Sequence, residues 1–364
     1  MPADINAPPP FFIVGSGRSG STLLRIMLAS HSRIAIPPET WFLLPLVEEI
    51  PIDRVLNSEE LARAIALMTS DYRWPDMQMS VDELKMRASH LVEPRMRDLV
   101  ELVYATQLRA SGKARWGDKT GPYVKIIPQL SRLFPGARFI FLVRDGRDVT
   151  KSWQNLMRYG ISVHQNAIEW TEASRWERKW SASKYADTML CVRYEDLVLD
   201  PEPTLRRICD FIGEQFEPQM LAWQQKVEHL VPSRERHIHS KLARSMSDDD
   251  VERWRREMSG TELFVAEALM QRDLRRFGYA CHFRSPFWRP LLWVTRVYYD
   301  FYLPINPMRA VRVLVRLFRK LPLTFGGAAH SAGGTGDGPG GSEIRGPGPR
   351  AVSATKIRWR GYVR

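Results

Sequence analysis

The 364-residue sequence is poor in cysteine and contains no long apolar run. Its three cysteines, Cys191, Cys209 and Cys281, are too few for a disulfide framework and stand in no spacing that binds zinc. No segment approaches the roughly 20 apolar residues needed to span a bilayer, and the N-terminus lacks the basic start and apolar stretch of a secretory signal. We therefore expect a cytoplasmic protein whose cysteines are reduced thiols in the core.

Most of the chain also carries almost no net charge, although the whole sequence carries +12. Residues 284–364 hold 14 Lys and Arg against 3 Asp and Glu, so 11 of the 12 net positive charges lie in this segment. A near-neutral body argues against a nucleic-acid-binding domain, and the basic C-terminal segment has to be interpreted separately.

Short apolar runs rich in β-branched and aromatic residues alternate with helical patterns, an order typical of an α/β fold with a parallel sheet. The predicted strands cover residues 11–14, 33–36, 138–143 and 189–193. The predicted helices cover residues 163–187, 202–213 and 261–277. Charged and apolar residues at helical spacing over 41–112 predict a helical insertion that forms one wall of a cleft. We assign residues 1–283 to one α/β domain that includes this insertion.

Two different compositions follow that domain. Residues 284–325 begin with a stretch crowded with aromatic residues, and this region then repeats arginine at steps of 3, 4 and 3, at Arg309, Arg312, Arg316 and Arg319. We interpret it as a basic amphipathic extension, which either meets a membrane surface through residues 286–321 or packs on the domain. Residues 326–364 are predicted to be a disordered tail, because their Gly, Pro and Ser content cannot form a core.

The stretch GSGRSGST, residues 15–22, lies between the first predicted strand and an apolar helical pattern. A glycine-rich turn at that place exposes backbone N–H groups at a helix N-terminus, where the helix dipole also favours an anion. Ser21 occupies the position of the lysine of nucleoside triphosphatases, and the basic residue comes earlier, at Arg18. The turn therefore predicts either a phosphate-type site without Mg²⁺-dependent hydrolysis or a glycine-rich turn without a ligand.

A second segment, RFIFLVRDGRDVTKS over residues 138–152, has the same organisation. Its apolar strand ends before Arg144, and Ser152 follows on the opening turns of the next helix. An arginine at a strand end and a serine on the following helix can bind one phosphate together. The alternative is a local salt-bridge cluster among the charged residues 144–148.

Together these two segments resemble the sulfotransferases that use 3′-phosphoadenosine 5′-phosphosulfate (PAPS), including their bacterial and tyrosylprotein-sulfotransferase-like members. The resemblance implies a P-loop-type parallel sheet flanked by helices, and it covers residues 11–280. It assigns the 5′-phosphosulfate to the loop residues Gly17, Arg18, Ser19, Gly20, Ser21 and Thr22. It assigns the 3′-phosphate to Arg144 and Ser152.

Other segments extend the resemblance and imply catalytic roles. Glu39, in PPETWF, matches the family's catalytic glutamate, which takes the proton of the acceptor hydroxyl. Lys119, in RWGDKTGPY, matches the lysine that approaches the sulfuryl group, and Arg18 shares that role. Tyr194, in RYEDL, contributes to the nucleotide site, and Trp254 resembles a tryptophan that closes it. The alternatives are a helix-capping role for Glu39, an exposed loop position for Lys119 and simple packing for Tyr194.

The resemblance implies an enzyme, a PAPS-dependent sulfotransferase. It would transfer a sulfuryl group in line, without a metal, to an acceptor hydroxyl of a carbohydrate, a glycolipid or another alcohol, and release adenosine 3′,5′-bisphosphate. Positioning and charge stabilisation dominate such transfers. Two other hypotheses stay open from the residues: a P-loop kinase, and a membrane-surface binding module with a degenerate nucleotide fold.

Overall fold

The computed structural model describes residues 8–156, 162–232, 251–283 and 286–297. Its centre is one sheet of five parallel strands in the order β2-β3-β1-β4-β5. The strands are β1 (Phe11–Gly15), β2 (Ile34–Ala35), β3 (Arg115–Lys119), β4 (Arg138–Val143) and β5 (Met189–Arg193). The predicted α/β fold with a parallel sheet is therefore confirmed, with strand β3 added between two predicted strands.

Helices cover both faces of this sheet. They are α1 (Ser21–Ala29), α2 (Leu43–Glu49), α3 (Ser58–Thr69), α4 (Val81–Ser89), α5 (Met96–Ser111), α6 (Ile127–Leu133), α7 (Gly146–Leu156), α8 (Val163–Ser181), α9 (Tyr194–Leu199), α10 (Pro201–Ile212), α11 (Val227–Leu230), α12 (Trp254–Glu257), α13 (Gly260–Arg276) and α14 (Arg289–Val297). The predicted helices over 163–187, 202–213 and 261–277 correspond to α8, α10 and α13.

The two faces of the sheet bury two hydrophobic clusters. Successive side chains of a strand point to opposite faces, so Phe12 and Val14 of β1 join one cluster and Phe11 and Ile13 join the other. The first cluster packs against α2 to α6, α8 and α13, whereas the second packs against α1 and α10. Strand β4 is apolar after its first residue because helices cover it on both sides.

The residues 41–112 that predict a helical insertion form α2 to α5 and a short 3₁₀ turn, Trp74–Met77, between β2 and β3. Phe42, Met68, Leu84 and Tyr104 from this region lie in the same cluster as Phe12. Helix α3 begins with a capping box, in which the Asn57 side chain accepts from the Glu60 N–H and the Glu60 carboxylate accepts from the Asn57 N–H. The insertion is thus fixed to one face of the sheet by its own apolar side chains.

The sequence pattern does not predict strand β3, because its sequence, RWGDK, contains three charged residues and a glycine. All five residues are nevertheless buried. Distant groups satisfy the charges: Arg115 donates to the Ile212 carbonyl, and Lys119 pairs with Glu39. These contacts offset part of the cost of burying the two cationic side chains.

The C-terminal predictions fall largely outside the described residues. Helix α14 lies within the predicted extension 284–325, and its Leu292 is buried. The arginine repeat at 309–319 and the tail 326–364 lie outside the described residues, and the domain boundaries at 283 and 325 remain predictions. Within the part of the chain that the structure covers, no helix is both long and apolar enough to cross a membrane.

Gly117, in the middle of β3, offers a test of the close packing around the central strands. A Cβ atom there would lie 2.6 Å from Cζ of the Phe11 ring, in the core. We expect Gly117→Ala to lower the free energy of unfolding by about 1–3 kcal/mol, because the ring has no space to move into. Urea denaturation followed by circular dichroism measures the change.

Gly260 provides the matched control for that substitution. A Cβ at this first residue of α13 would meet no atom within 4 Å, so Gly260→Ala is expected to leave stability unchanged or to raise it slightly. Equal urea midpoints for the two variants would contradict the packing described here.

Candidate active site

The glycine-rich loop follows β1 directly and ends at the N-terminus of α1. Gly15 has φ 144° and leaves no space for a Cβ, which would lie 2.5 Å from the Leu142 carbonyl oxygen of β4. Arg18 and Gly20 adopt left-handed conformations, with φ 64° and φ 90°. Gly20 caps α1 without a side-chain hydrogen bond, and the first turn of α1 contains no acidic residue. The helix N-terminus is therefore positive and open to an anion.

The remaining loop residues fix the shape of this turn. The hydroxyl oxygens of Ser16 and Ser19 lie 2.7 Å apart in a hydrogen bond, and Ser19 is completely buried. Ser21 and Thr22 are the first residues of α1. A Cβ at Gly17 would lie 2.8 Å from the Trp153 ring, so this glycine is required by the aromatic side chain that follows Ser152.

The second predicted turn lies beside the first because β4 pairs with β1 along its length. The Nε of Arg18 donates a 3.1 Å hydrogen bond to the Ser152 hydroxyl on α7, which joins the two segments directly. Burial and then the charge of Arg144 lower the pKa of Arg18, so the two guanidinium groups are close enough to repel one another. Among the described residues, Arg18 forms no ion pair with a carboxylate.

Tyr194, the first residue of α9, lies between these elements. A Cβ at Gly20 would lie 2.3 Å from the Tyr194 ring, and the Arg144 guanidinium stands 4.4 Å above the same ring. The ring is therefore packed between the loop and the second turn, and its predicted contribution to a nucleotide site stays a prediction. Its cation–π contact helps to hold Arg144 at the end of β4.

The charged residues after β4 divide into two groups. Arg147 forms buried ion pairs of 2.7 Å with Asp145 and with Glu267, and its guanidinium also lies 3.7 Å from the centre of the Trp254 ring. Arg144 forms a longer ion pair, with 3.6 Å between its guanidinium and the Asp148 carboxylate. Local salt bridges therefore occur at both arginines, and Arg144 in addition lies over the Tyr194 ring and near Arg18.

Glu39 and Lys119 form the second part of the site. The Lys119 ammonium donates a 2.6 Å hydrogen bond to one oxygen of the Glu39 carboxylate, and the Trp41 indole donates to the other at 2.8 Å. Burial raises the pKa of Glu39, but the charge and hydrogen bond of Lys119 and the bond from Trp41 outweigh it and hold the pKa below its usual value. Glu39 is thus an ionised carboxylate at neutral pH.

Both alternatives for this pair are excluded by the geometry. Helix α2 begins at Leu43, and the Glu39 carboxylate bonds to Lys119 and Trp41 rather than to the helix N-terminus. Lys119 is the last residue of β3 and is only 4 % exposed, so it is not a loop lysine in solvent.

The Glu39–Lys119 pair is adjacent to the glycine-rich loop. Lys119 lies opposite Ile13 in the register of β3 and β1. A Cβ at Gly121 would lie 2.5 Å from the carbonyl oxygen of Gly15. The chain that leaves β3 therefore passes directly against the start of the loop. The structure brings a carboxylate, a lysine, two arginines and an open helix N-terminus to one edge of the sheet, at the carboxyl ends of β1, β3 and β4.

Sequence reasoning missed three side chains of this site. Trp41 hydrogen-bonds Glu39, Trp153 packs on Gly17, and a Glu169 oxygen of α8 lies near the same glycine, 3.6 Å from the position of a Cβ there. Trp41 and Trp153 stand next to predicted site residues, and that proximity was the available signal. Glu169 had no such signal, because α8 reaches the loop only through the fold.

An open parallel sheet that carries a glycine-rich loop where neighbouring crossovers diverge is the architecture of the P-loop class of nucleotide-binding proteins. Comparison with known proteins gives the family within that class. The chain belongs to the sulfotransferase family, whose model matches residues 9–218.

Two curated relatives support this assignment. The nodulation protein NoeE of Sinorhizobium fredii is 25 % identical over 291 residues, which are 72 % of this chain and 64 % of that protein. Protein-tyrosine sulfotransferase 1 of Danio rerio is 26 % identical over 215 residues, 56 % of this chain and 53 % of that protein. The chain thus spans less than two thirds of the length of these relatives.

Solved structures agree on the fold. The sulfotransferase domain of the Synechococcus PCC 7002 olefin synthase has a TM-score of 0.51 at 25 % identity and covers 77 % of this chain and 98 % of its own. The sulfotransferase domain of the curacin biosynthetic pathway has the same TM-score at 22 % identity. The match covers 75 % of this chain and 99 % of that domain.

Glu169 gives a pH-dependent test of the site's electrostatics. Burial, with the charge of Glu172 adding to it and that of Lys125 opposing it, raises the pKa of Glu169 to about 6. A raised carboxyl pKa contributes stability below the ordinary pKa, and this contribution is lost as the pH rises through about 6. We expect Glu169→Gln to match the wild type at pH ~4 and to be more stable by about 1 kcal/mol at pH ~8, since partial exposure screens the charge.

Urea denaturation at both pH values measures this effect, with Glu93→Gln in an exposed loop as the control. An equal difference between wild type and Glu169→Gln at the two pH values would show that burial does not perturb this carboxyl.

Proposed function

We propose that the protein transfers a sulfuryl group from PAPS to an acceptor hydroxyl. The observation that carries the proposal is the pair of arginines at neighbouring strand-to-helix turns. Burial and then the charge of Arg144 lower the pKa of Arg18. Arg18 forms no ion pair with a carboxylate among the described residues, and Arg144 is 3.6 Å from Asp148. Two close cations held together in this way favour a ligand with more than one anionic group.

The residues present fit PAPS, which carries its anionic groups on both sides of a ribose. The uncapped N-terminus of α1 and the left-handed Gly20 form a backbone cradle of the kind that binds phosphate. We assign Gly17 to Thr22 to the 5′-phosphosulfate and Arg144 with Ser152 to the 3′-phosphate. The Arg18–Ser152 hydrogen bond connects the two parts of this nucleotide site.

The chain's own groups can supply the chemistry. PAPS supplies the sulfuryl group and a nucleotide leaving group. Arg18 places positive charge at the edge of the loop, and Lys119 can donate from its ion pair with Glu39, so both can stabilise negative charge that develops on the leaving oxygen. The Glu39 carboxylate is ionised and held at a fixed place, so it can accept the proton of an attacking hydroxyl. This sequence of roles needs no metal.

The acceptor is proposed only as a class. The curated relatives include protein-tyrosine sulfotransferases, and a tyrosine, a carbohydrate, a glycolipid or a small alcohol can each present a hydroxyl. A P-loop kinase is the weaker alternative, because Ser21 stands where the loop lysine of those enzymes stands.

Glu39→Gln tests the function. We expect this variant to bind adenosine 3′,5′-bisphosphate as the wild type does, measured by titration calorimetry. We expect it to transfer label from radiolabelled PAPS to cell lipid, glycan or protein fractions about 10²–10⁴-fold more slowly, because the general base is lost. Arg18→Ala should lose nucleotide binding itself.

Glu48→Gln, an exposed carboxylate on α2, is the control and should behave as the wild type. A wild-type rate for Glu39→Gln would refute the role of Glu39. Thermal stabilisation by ATP with Mg²⁺ and none by adenosine 3′,5′-bisphosphate would favour the kinase. Failure to bind either nucleotide would favour the binding-module hypothesis.

We also propose that the start of the C-terminal extension binds an anionic membrane surface. Around α14, Phe287, Leu291, Trp293 and Val294 are 49–78 % exposed, while Leu292 is buried. Aromatic and aliphatic side chains in this arrangement, followed in sequence by the arginine repeat at 309–319, are typical of an interfacial segment. The remaining residues of the proposed surface, 298–321, lie outside the described residues.

Vesicle co-sedimentation tests this surface with the full chain. We expect the triple variant Phe287→Ser, Leu291→Ser, Trp293→Ser to lose binding to vesicles that contain phosphatidylglycerol, since each substitution removes exposed apolar area that would enter the interface. Met86→Ser, also an exposed apolar side chain, is the control. Unchanged sedimentation of the triple variant would refute the proposal.

A further inference from the structure

Asp118 is a completely buried carboxylate one residue before Lys119. One of its oxygens accepts two short hydrogen bonds, at 2.6 Å from the Thr40 hydroxyl and at 2.5 Å from the Tyr104 hydroxyl. Burial raises the pKa of Asp118 to about 6, although these hydrogen bonds oppose the effect. A buried carboxylate of this kind costs more free energy than an apolar residue of similar size unless its hydrogen bonds offset that cost.

The partners of Asp118 are themselves fixed. The Tyr104 ring of α5 stacks on Trp116 of β3, with 3.9 Å between ring centres. Thr40 gives its single hydroxyl proton to Asp118, so the Tyr123 hydroxyl, 3.0 Å away, donates its own proton to Thr40. Every member of the cluster is buried, which leaves its geometry little freedom.

The segment that carries Glu39 lacks regular backbone pairing. Strand β2 pairs with β3 only through Ile34 and Ala35, and residues 37 and 38 are prolines, which have no N–H to donate. Helix α2 begins only at Leu43. Side chains therefore have to hold residues 39 and 40 against the end of β3.

Three side-chain bonds join these two segments. Thr40 donates to Asp118, Thr120 donates a 2.6 Å bond back to the Thr40 carbonyl, and Lys119 pairs with Glu39. Asp118 and Thr120 lie on either side of Lys119 in the sequence, and both bond to Thr40, the residue after Glu39. They set the distance across which that ion pair forms.

We propose that Asp118 is a positioning residue that, through Thr40, holds the Glu39 carboxylate against the Lys119 ammonium. This inference rests on the proposed function only in taking Glu39 as the base. Asp118 touches neither the acceptor nor the donor in this role. It explains why a carboxylate, rather than an apolar side chain, occupies a buried position at the end of β3.

The test compares Thr40→Val with Thr40→Ser. Valine has the shape of threonine but no hydroxyl, whereas serine keeps the bond to Asp118. The first readout is the pKa of Glu39, measured by NMR of ¹³C-labelled glutamate carboxyl groups. The Glu39 signal is assigned by its loss in Glu39→Gln. Burial raises this pKa, whereas the charge and hydrogen bond of Lys119, the bond from Trp41 and the charge of Arg73 lower it, so moving the buried carboxylate away from Lys119 raises it.

We expect a raised Glu39 pKa in Thr40→Val and a wild-type value in Thr40→Ser. We also expect kcat of Thr40→Val, with the cell fraction that wild type labels most, to fall about 10–100-fold at unchanged affinity for adenosine 3′,5′-bisphosphate. Thr204→Val, which removes a buried hydroxyl on distant α10, is the control and should change neither. Should Thr40→Val not fold, Tyr104→Phe removes the other bond to Asp118 and should raise the Glu39 pKa in the same direction.

A wild-type Glu39 pKa in Thr40→Val or in Tyr104→Phe would overturn the inference, because the cluster would then serve stability alone. This result is independent of the proposed function. Loss of turnover in Glu39→Gln with a wild-type pKa and rate in Thr40→Val would leave Glu39 as the base and remove only the positioning role.

Discussion

The pairing of β1 with β4 is the constraint on which the site depends. The two strands run parallel, with Phe11 opposite Arg138 and Gly15 opposite Leu142. The segments that follow them therefore leave the sheet side by side, at the carboxyl ends of the strands. This register forces Gly15 against the Leu142 carbonyl and sends the glycine-rich loop and the Arg144 turn to neighbouring places. Because β3 lies on the other side of β1, its last residue, Lys119, reaches the same edge. One strand order thus gathers residues from three distant parts of the sequence.

Charge is distributed unevenly around that edge. The side of β4 holds guanidinium groups that repel one another, and the side of β3 holds a carboxylate and an ammonium that neutralise one another. The close guanidinium groups favour a nearby anion, whereas the ion pair with Lys119 keeps the Glu39 carboxylate ionised. Arg147, only three residues after Arg144, forms buried ion pairs with Asp145 and Glu267 that support the turn, whereas Arg144 lies 3.6 Å from Asp148 and over the Tyr194 ring. Arg147 is therefore part of the structure of the turn, and Arg144 is the arginine of this segment that lies beside Arg18.

The sequence was sufficient for the parts of this arrangement whose signal is local. Apolar runs predict β1, β4 and β5. The glycine-rich loop and the Arg144–Ser152 spacing are visible in the sequence without knowledge of the strand order. Strand β3 could not be found this way, because its polar residues are compensated by groups about 80 to 100 residues away, and no local pattern records such partners. The same holds for Glu169, which approaches Gly17 only through the packing of α8. Glu39 and Lys119 were identified from a family resemblance, while their ion pair is a property of the fold alone.

The phenol of Tyr104 ties the helical insertion to the chemistry of the sheet edge. Helix α5 belongs to the insertion, yet Tyr104 donates one of the two hydrogen bonds to the Asp118 carboxylate, next to Lys119. The insertion cannot be exchanged as an independent cassette. A chimera that takes this region from a relative has to bring a hydrogen-bond donor at the same point of its last helix, or the Asp118 carboxylate keeps only the bond from Thr40.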